Sequence, residues 1–207
     1  MKAISNYDGI QASNGGGTGI IEPGAYVCRI YGMYDHTDEP KPYLELAYDV
    51  YDQERKSMRF TDDLDDPERR WRHCFKLYLT SDFGWARYKA LVEAVEGTEE
   101  NKGFRYVNAD GAEQTLVGKW VGLVIRHQVY TAKRGKHKGE ARRAPDLAGA
   151  ITCADAIAGV FPPEWLEDRD TRTDAERAAQ EAASSPASVM HAPSAPAPDL
   201  ADEDIPF

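Results

Sequence analysis

Cysteine is scarce in this chain of 207 residues: Cys28, Cys74 and Cys153 lie far apart, an odd number without a Cys-x-x-Cys pair. That excludes a disulfide framework and a zinc knuckle, and the three read as reduced, half-buried fillers. No stretch approaches the roughly 20 apolar residues of a membrane span, and Met1-Lys2-Ala3-Ile4-Ser5 does not open a signal peptide. The expectation is a cytoplasmic protein with no membrane partner. His36, His73, His127, His137 and His191 have no ligand spacing, and no Ser-His-Asp set follows from sequence order. The run Gly15-Gly16-Gly17-Thr18-Gly19 lacks the Gly-Lys-Ser/Thr of a phosphate loop. Asp62, Asp63, Asp65, Asp66 and Glu68 crowd one arginine-rich loop, whereas a Mg2+ site takes carboxylates from separate rigid elements. The chain therefore reads as no enzyme, with no metal or cofactor.

What is present is charge, unevenly placed. The net charge of -10 argues at first against nucleic acid as a partner. Residues 167–207, however, hold ten acids against three arginines, a net of -7, and the rest of the chain is nearly neutral. Within that remainder, residues 119–143 carry eight cations (Lys119, Arg126, Lys133, Arg134, Lys136, Lys138, Arg142 and Arg143) against the single acid Glu140, a net of +7. A charge run is usually only a solvated face, but so strong a local excess in an acidic chain points to a polyanion.

The apolar pattern predicts strands over 24–37 and 43–51, the second alternating Leu44, Leu46, Tyr48 and Val50 against a wet face of Tyr43, Glu45, Ala47, Asp49 and Tyr51. Pro40-Lys41-Pro42 marks the turn between them, residues 52–72 read as a mobile charged loop, and 73–80 as a third strand. Phe83, Ala86, Ala90, Leu91, Ala94 and Val95 have helical spacing, with Ser81 or Asp82 to cap the start and Gly97 to stop it. Two further strands, 119–130 and 139–148, flank the basic loop. Three strands, one helix and two strands fit a mainly β, five-stranded OB barrel with its helix between strands 3 and 4 better than a βαβ repeat. The expected organisation is a Gly-rich arm (1–23), the barrel domain (24–166), a disordered Ala/Pro-rich linker (167–198) and an acidic tip (199–207).

The tip ends in Asp202-Glu203-Asp204-Ile205-Pro206-Phe207. A Pro-stiffened aromatic bearing the terminal carboxylate can seat its ring in an apolar pocket while a cation meets the carboxylate. This hexapeptide resembles the acidic tip of bacterial single-stranded DNA-binding proteins, which usually have three aspartates before Ile-Pro-Phe, so Glu203 is a conservative departure. The body, with Leu116-Val117-Gly118-Lys119-Trp120-Val121-Gly122-Leu123-Val124-Ile125, Tyr130, the basic loop and the segment 151–166, is similar to phage-encoded single-stranded DNA-binding proteins of the OB fold. The resemblance implies a protein that coats single strands during replication or recombination and recruits host or phage replication, recombination and repair proteins through the tip.

The residues support the same expectation independently, because a nonspecific strand binder needs cations for phosphates and aromatic faces for bases. Alternation sets Val27, Arg29, Tyr31 and Met33 on the wet face of the first strand, Tyr43 on that of the second, and Lys76 with Tyr78 on that of the third. Arg29, Tyr31, Tyr43, Lys76 and Tyr78 are the expected groove floor, and Arg126, Lys133, Arg134, Lys136, Lys138, Arg142 and Arg143 the expected phosphate contacts. The alternative is an adaptor or decoy that never touches DNA and occupies host factors through the tip.

Overall fold

The computed structural model describes residues 21–60 and 73–184. Most of the glycine arm, the acidic stretch 61–72, the Pro-rich segment and the tip fall outside the described residues.

The protein is mainly β. Its first strand, β1 (Gly24–His36), is long enough to serve two neighbours. It pairs antiparallel with β2 (Tyr43–Asp52) from Cys28 to His36, and with β5 (Trp120–Thr131) from Gly24 to Arg29. The overlap of only two positions obliges the sheet to curl, and an extra residue, Tyr31, forms a bulge that adds twist at the same place. On the far side of β2 lie β4 (Cys74–Tyr78) and, near its end, the two-residue β3 (Ser57–Met58); β6 (Ala141–Ile151) closes the other side against β5. The long strands thus run β4-β2-β1-β5-β6 in one curled antiparallel sheet. The charged loop expected over 52–72 begins instead as a hairpin, turned at Lys56 in the left-handed region (φ 52°).

Helix α1 (Asp82–Gly97) packs against both edge strands, β4 and β6. Ser81 caps it by accepting from Gly84 N–H, as expected. Its buried face matches the expected one only in its second half: Leu91, Ala94 and Val95 turn inward as expected, together with Gly84, Tyr88 and Val92, while Phe83, Ala86 and Ala90 face out. Close approach decides this, because a Cβ on Gly84 would lie 1.9 Å from the Tyr78 carbonyl oxygen. Arg87, on the same helix, donates to the Leu147 carbonyl of β6. The core beneath joins Leu91 and Val95 to Ile30, Met33, Leu46, Leu77, Leu123 and Ile125. Each such side chain contributes roughly 1.5–3 kcal/mol by leaving water.

The short helix α2 (Cys153–Ala158) packs on β1 and β5, and the turn Pro163–Leu166 on β5 and β6. Two glycines make room: a Cβ on Gly122 would meet the Thr152 oxygen at 2.6 Å, and one on Gly149 the Trp165 ring at 2.2 Å. Cys28 and Cys153 are fully buried rather than half-buried, and only Cys74 is intermediate. Burial pushes the Cys28 thiol well above its ordinary pKa and the Cys153 thiol up to about 11.

Residues 167–184 were expected to be linker, but they carry structure. The two-residue strand β7 (Arg169–Asp170) pairs in parallel with β5 beyond the point where β1 stops, and α3 (Asp174–Ser184) follows. The attachment is polar: Thr171 donates to the Val129 oxygen from both its N–H and its hydroxyl, and Arg172 grips Asp170 at 2.7 Å. Thr173 and Glu176 form a reciprocal capping box at the start of α3. The hydrogen bonds from Thr173 hold the Glu176 carboxyl below the usual range, and Arg172 does the same for Asp170. A segment held this way needs no apolar stripe, which is why its composition misleads. Among the described residues no helix is long and apolar enough to cross a membrane.

Candidate nucleic-acid interface

With α2 on β1 and β5 and the Pro163–Leu166 turn on β5 and β6, the open outer face belongs to β2, β4 and the part of β1 that pairs with β2. Register places His36, Tyr43 and Tyr78 in one row across these three strands. The His36 and Tyr43 rings stack at 4.5 Å, Tyr43 and Tyr78 lie 5.6 Å apart, and Lys76 Nζ sits 4.2 Å from the Tyr43 ring centroid. A hydrogen bond with Tyr43 raises the Lys76 pKa above its ordinary value, so the ammonium stays charged. The next row holds Tyr34, Glu45 and Lys76. Tyr34 and Tyr78 are each 47% exposed, enough to offer a ring face to a ligand.

The bulge is what brings Tyr34 and His36 to this surface. Uninterrupted alternation from Arg29 assigns Met33 to the wet face. The extra residue at Tyr31 shifts the phase, so Met33 is buried opposite Leu46 and its neighbours turn outward. The wet face expected for β2 is also corrected: Glu45, Ala47 and Asp49 are buried, Glu45 between the longer Tyr34 and Lys76, and only Tyr43 and Tyr51 retain partial exposure.

A second group lies further along the same face. Arg29 is in register with Trp120 on one side and Asp49 on the other. Its Nε donates to the Gly118 oxygen at 3.2 Å, its guanidinium lies 6.0 Å from the Trp120 ring centroid, and Tyr51 meets Trp120 edge-on at 5.7 Å. Tyr31, 44% exposed, stands beside it. The two groups are eight residues apart on β2, roughly 26 Å along the strand. Tyr34, His36, Tyr51 and Trp120 are additions to the expected floor; alternation already set Tyr51 on the wet face of its strand, and the signal for the other three is cross-strand register rather than composition.

The cations divide. Lys133, Arg134, Lys136 and Lys138 are exposed on the β5–β6 hairpin, which is shaped by Gly135 and Gly139 in the left-handed region, and Arg142 is exposed at its base. None of these five has an ion-pair partner among the described residues. Arg126 does not belong with them: its Nε is held by Asp146 at 2.9 Å in a half-buried pair. Arg143 is held by Asp168 at 3.2 Å. The hairpin also stands apart from the aromatic face, since Trp120 and Thr131 are eleven residues apart on β5, roughly 36 Å along the strand.

No group of three or more His, Cys, Asp or Glu side chains that could hold a metal occurs among the described residues; the acidic stretch Asp62 to Glu68 lies outside them, as does the tip from Asp202 to Phe207. Compared with known proteins, the chain matches no family profile and no curated relative.

Proposed function

We propose that this protein binds single-stranded DNA without regard to sequence through an OB-type barrel, performs no catalysis, and recruits replication, recombination or repair proteins of a phage or its host through Asp202-Glu203-Asp204-Ile205-Pro206-Phe207. The strand order supports the barrel reading. Counting the five long strands in chain order, their neighbours run third, second, first, fourth, fifth, as in an OB barrel. Helix α1 bridges the third and fifth, where that barrel closes. OB domains bind oligomers over strands 2 and 3 and the loops flanking them, which here are β2, β4, the turn after His36 and the basic hairpin.

The observation that carries the reading is the row of His36, Tyr43 and Tyr78 with Lys76 laid against it. Aromatic side chains and a cation on an open sheet face suit a ligand with flat bases and a charged backbone. Each stacked base contributes about 1–3 kcal/mol. Tyr43→Ala with Tyr78→Ala is expected to weaken oligo-dT binding at least tenfold in a fluorescence titration while the melting temperature holds. Removing residues 199–207 is expected to leave strand binding intact and abolish partner capture. A purified protein that ignores oligo-dT even at low salt refutes the proposal and leaves the adaptor or decoy reading.

A further inference from the structure

We propose that a cavity of about 410 Å3 beside Arg29 receives one unstacked guanine of the bound strand, an inference that rests on the DNA-binding reading and adds a base preference to it. The cavity lies where β1, the β2–β3 hairpin and the turn before β5 meet. Ile30, Met58 and Val117 supply apolar walls, Tyr31 adds an aromatic one, and Arg29 and Asp49 are the charged groups. Those two are register partners on adjacent strands, so they stand on the same face about 5 Å apart at Cβ.

Both are fixed before any ligand arrives. Asp49 Oδ1 accepts from Phe60 N–H at 2.9 Å, and the residue is only 3% exposed. Arg29 is tied to the Gly118 oxygen, and Gly118 is itself strapped to β1, donating to the Ile30 oxygen at 2.8 Å while Ile30 N–H donates to the Lys119 oxygen at 2.9 Å. Groups held in place lose little entropy on binding. A guanidinium fork matches the O6 and N7 acceptors of guanine. A carboxylate, which only accepts, matches its N1–H and N2 amino donors. Thymine offers the carboxylate a single N–H between two repelling carbonyls, adenine has no O6, and cytosine lacks N7 and the second ring.

The test uses the full chain and labelled oligo-dT of about 15 residues, within the site size of an OB domain, alongside the same oligomer with one central guanine, adenine or cytosine. The guanine oligomer is expected to bind about fivefold or more tighter than oligo-dT, as one good bidentate contact provides. Val117→Trp, which fills the cavity from an exposed position, is expected to erase that preference and spare oligo-dT binding; Asp49→Asn, which replaces an acceptor of the guanine contact by a donor, is expected to erase the preference as well. Equal binding of all four oligomers, a preference for another base, or a guanine preference that survives Val117→Trp overturns the inference and leaves strand binding standing. Failure to bind oligo-dT and its guanine version alike removes both.

Discussion

Replacing Lys136 and Lys138 by Gln tests which cations meet the strand. Five cations of the hairpin, Lys133, Arg134, Lys136, Lys138 and Arg142, have no ion-pair partner among the described residues. Neutralising a phosphate of single-stranded DNA adds about -0.7 to the slope of log affinity against log salt. Five contacts therefore give a slope of about -3.5, and the double variant about -2.1. Arg126→Gln removes one charge, and from the pair with Asp146 rather than from the hairpin, so the slope holds. Its cost falls on the fold instead, about 2 kcal/mol for a lost charge-assisted hydrogen bond, softened by Arg169 lying 3.8 Å from the same carboxylate. Anisotropy of a labelled oligo-dT at four or five salt concentrations gives the slopes, and urea melts give the stabilities. An unchanged slope in the lysine variant, or a slope flattened equally by Arg126→Gln, refutes the assignment.

Three other outcomes follow from the same geometry. Asp168→Asn releases Arg143 from its ion pair and is expected to raise oligo-dT affinity two- to fivefold at low salt, a gain that vanishes in high salt as screening predicts. Gly84→Ala drives a Cβ into the Tyr78 carbonyl and is expected to lower stability by about 3 kcal/mol in denaturant melts, since the opposing atom is backbone and cannot swing aside. Asp170 and Glu176 have carboxyl pKa values depressed in the folded chain, so their contribution is complete above the ordinary carboxylate value of about 4 and is lost as pH falls through the depressed values. Proteolytic nicking within 169–184 is accordingly expected to be constant from pH 7 to about 5 and to rise only in stronger acid.

Local chemistry was the legible part of the fold. The two-residue alternation of β2, the Ser81 cap and the glycine-bearing basic hairpin each depend on neighbours within a few positions, and each element lies where the sequence places it. The faces were harder. Which side of α1 turns inward depends on Gly84 meeting a carbonyl at the end of β4, and no hydrophobic count contains that contact. Arg126 looked like its basic neighbours until β6 set Asp146 opposite it, a partner 20 residues away. The stretch after Leu166 has the composition of a solvated tail, yet Thr173-x-x-Glu176 signalled a helix start there. Tyr34 and His36 escaped notice because a bulge changes which residues share a face, and a bulge has no reliable signature in a single sequence.

That extra residue in β1 also sets where the chain tolerates a change of length. A protein lacking Tyr31 would pass through the same two faces in regular alternation, with Arg29 and His36 still on one side and Ile30 and Met33 still on the other. An insertion of one residue between Gly32 and His36 has no such slack to absorb it: it would turn the rings into the interior and the aliphatic groups into water. Position 31 is thus the joint at which relatives of different length can diverge and keep one surface.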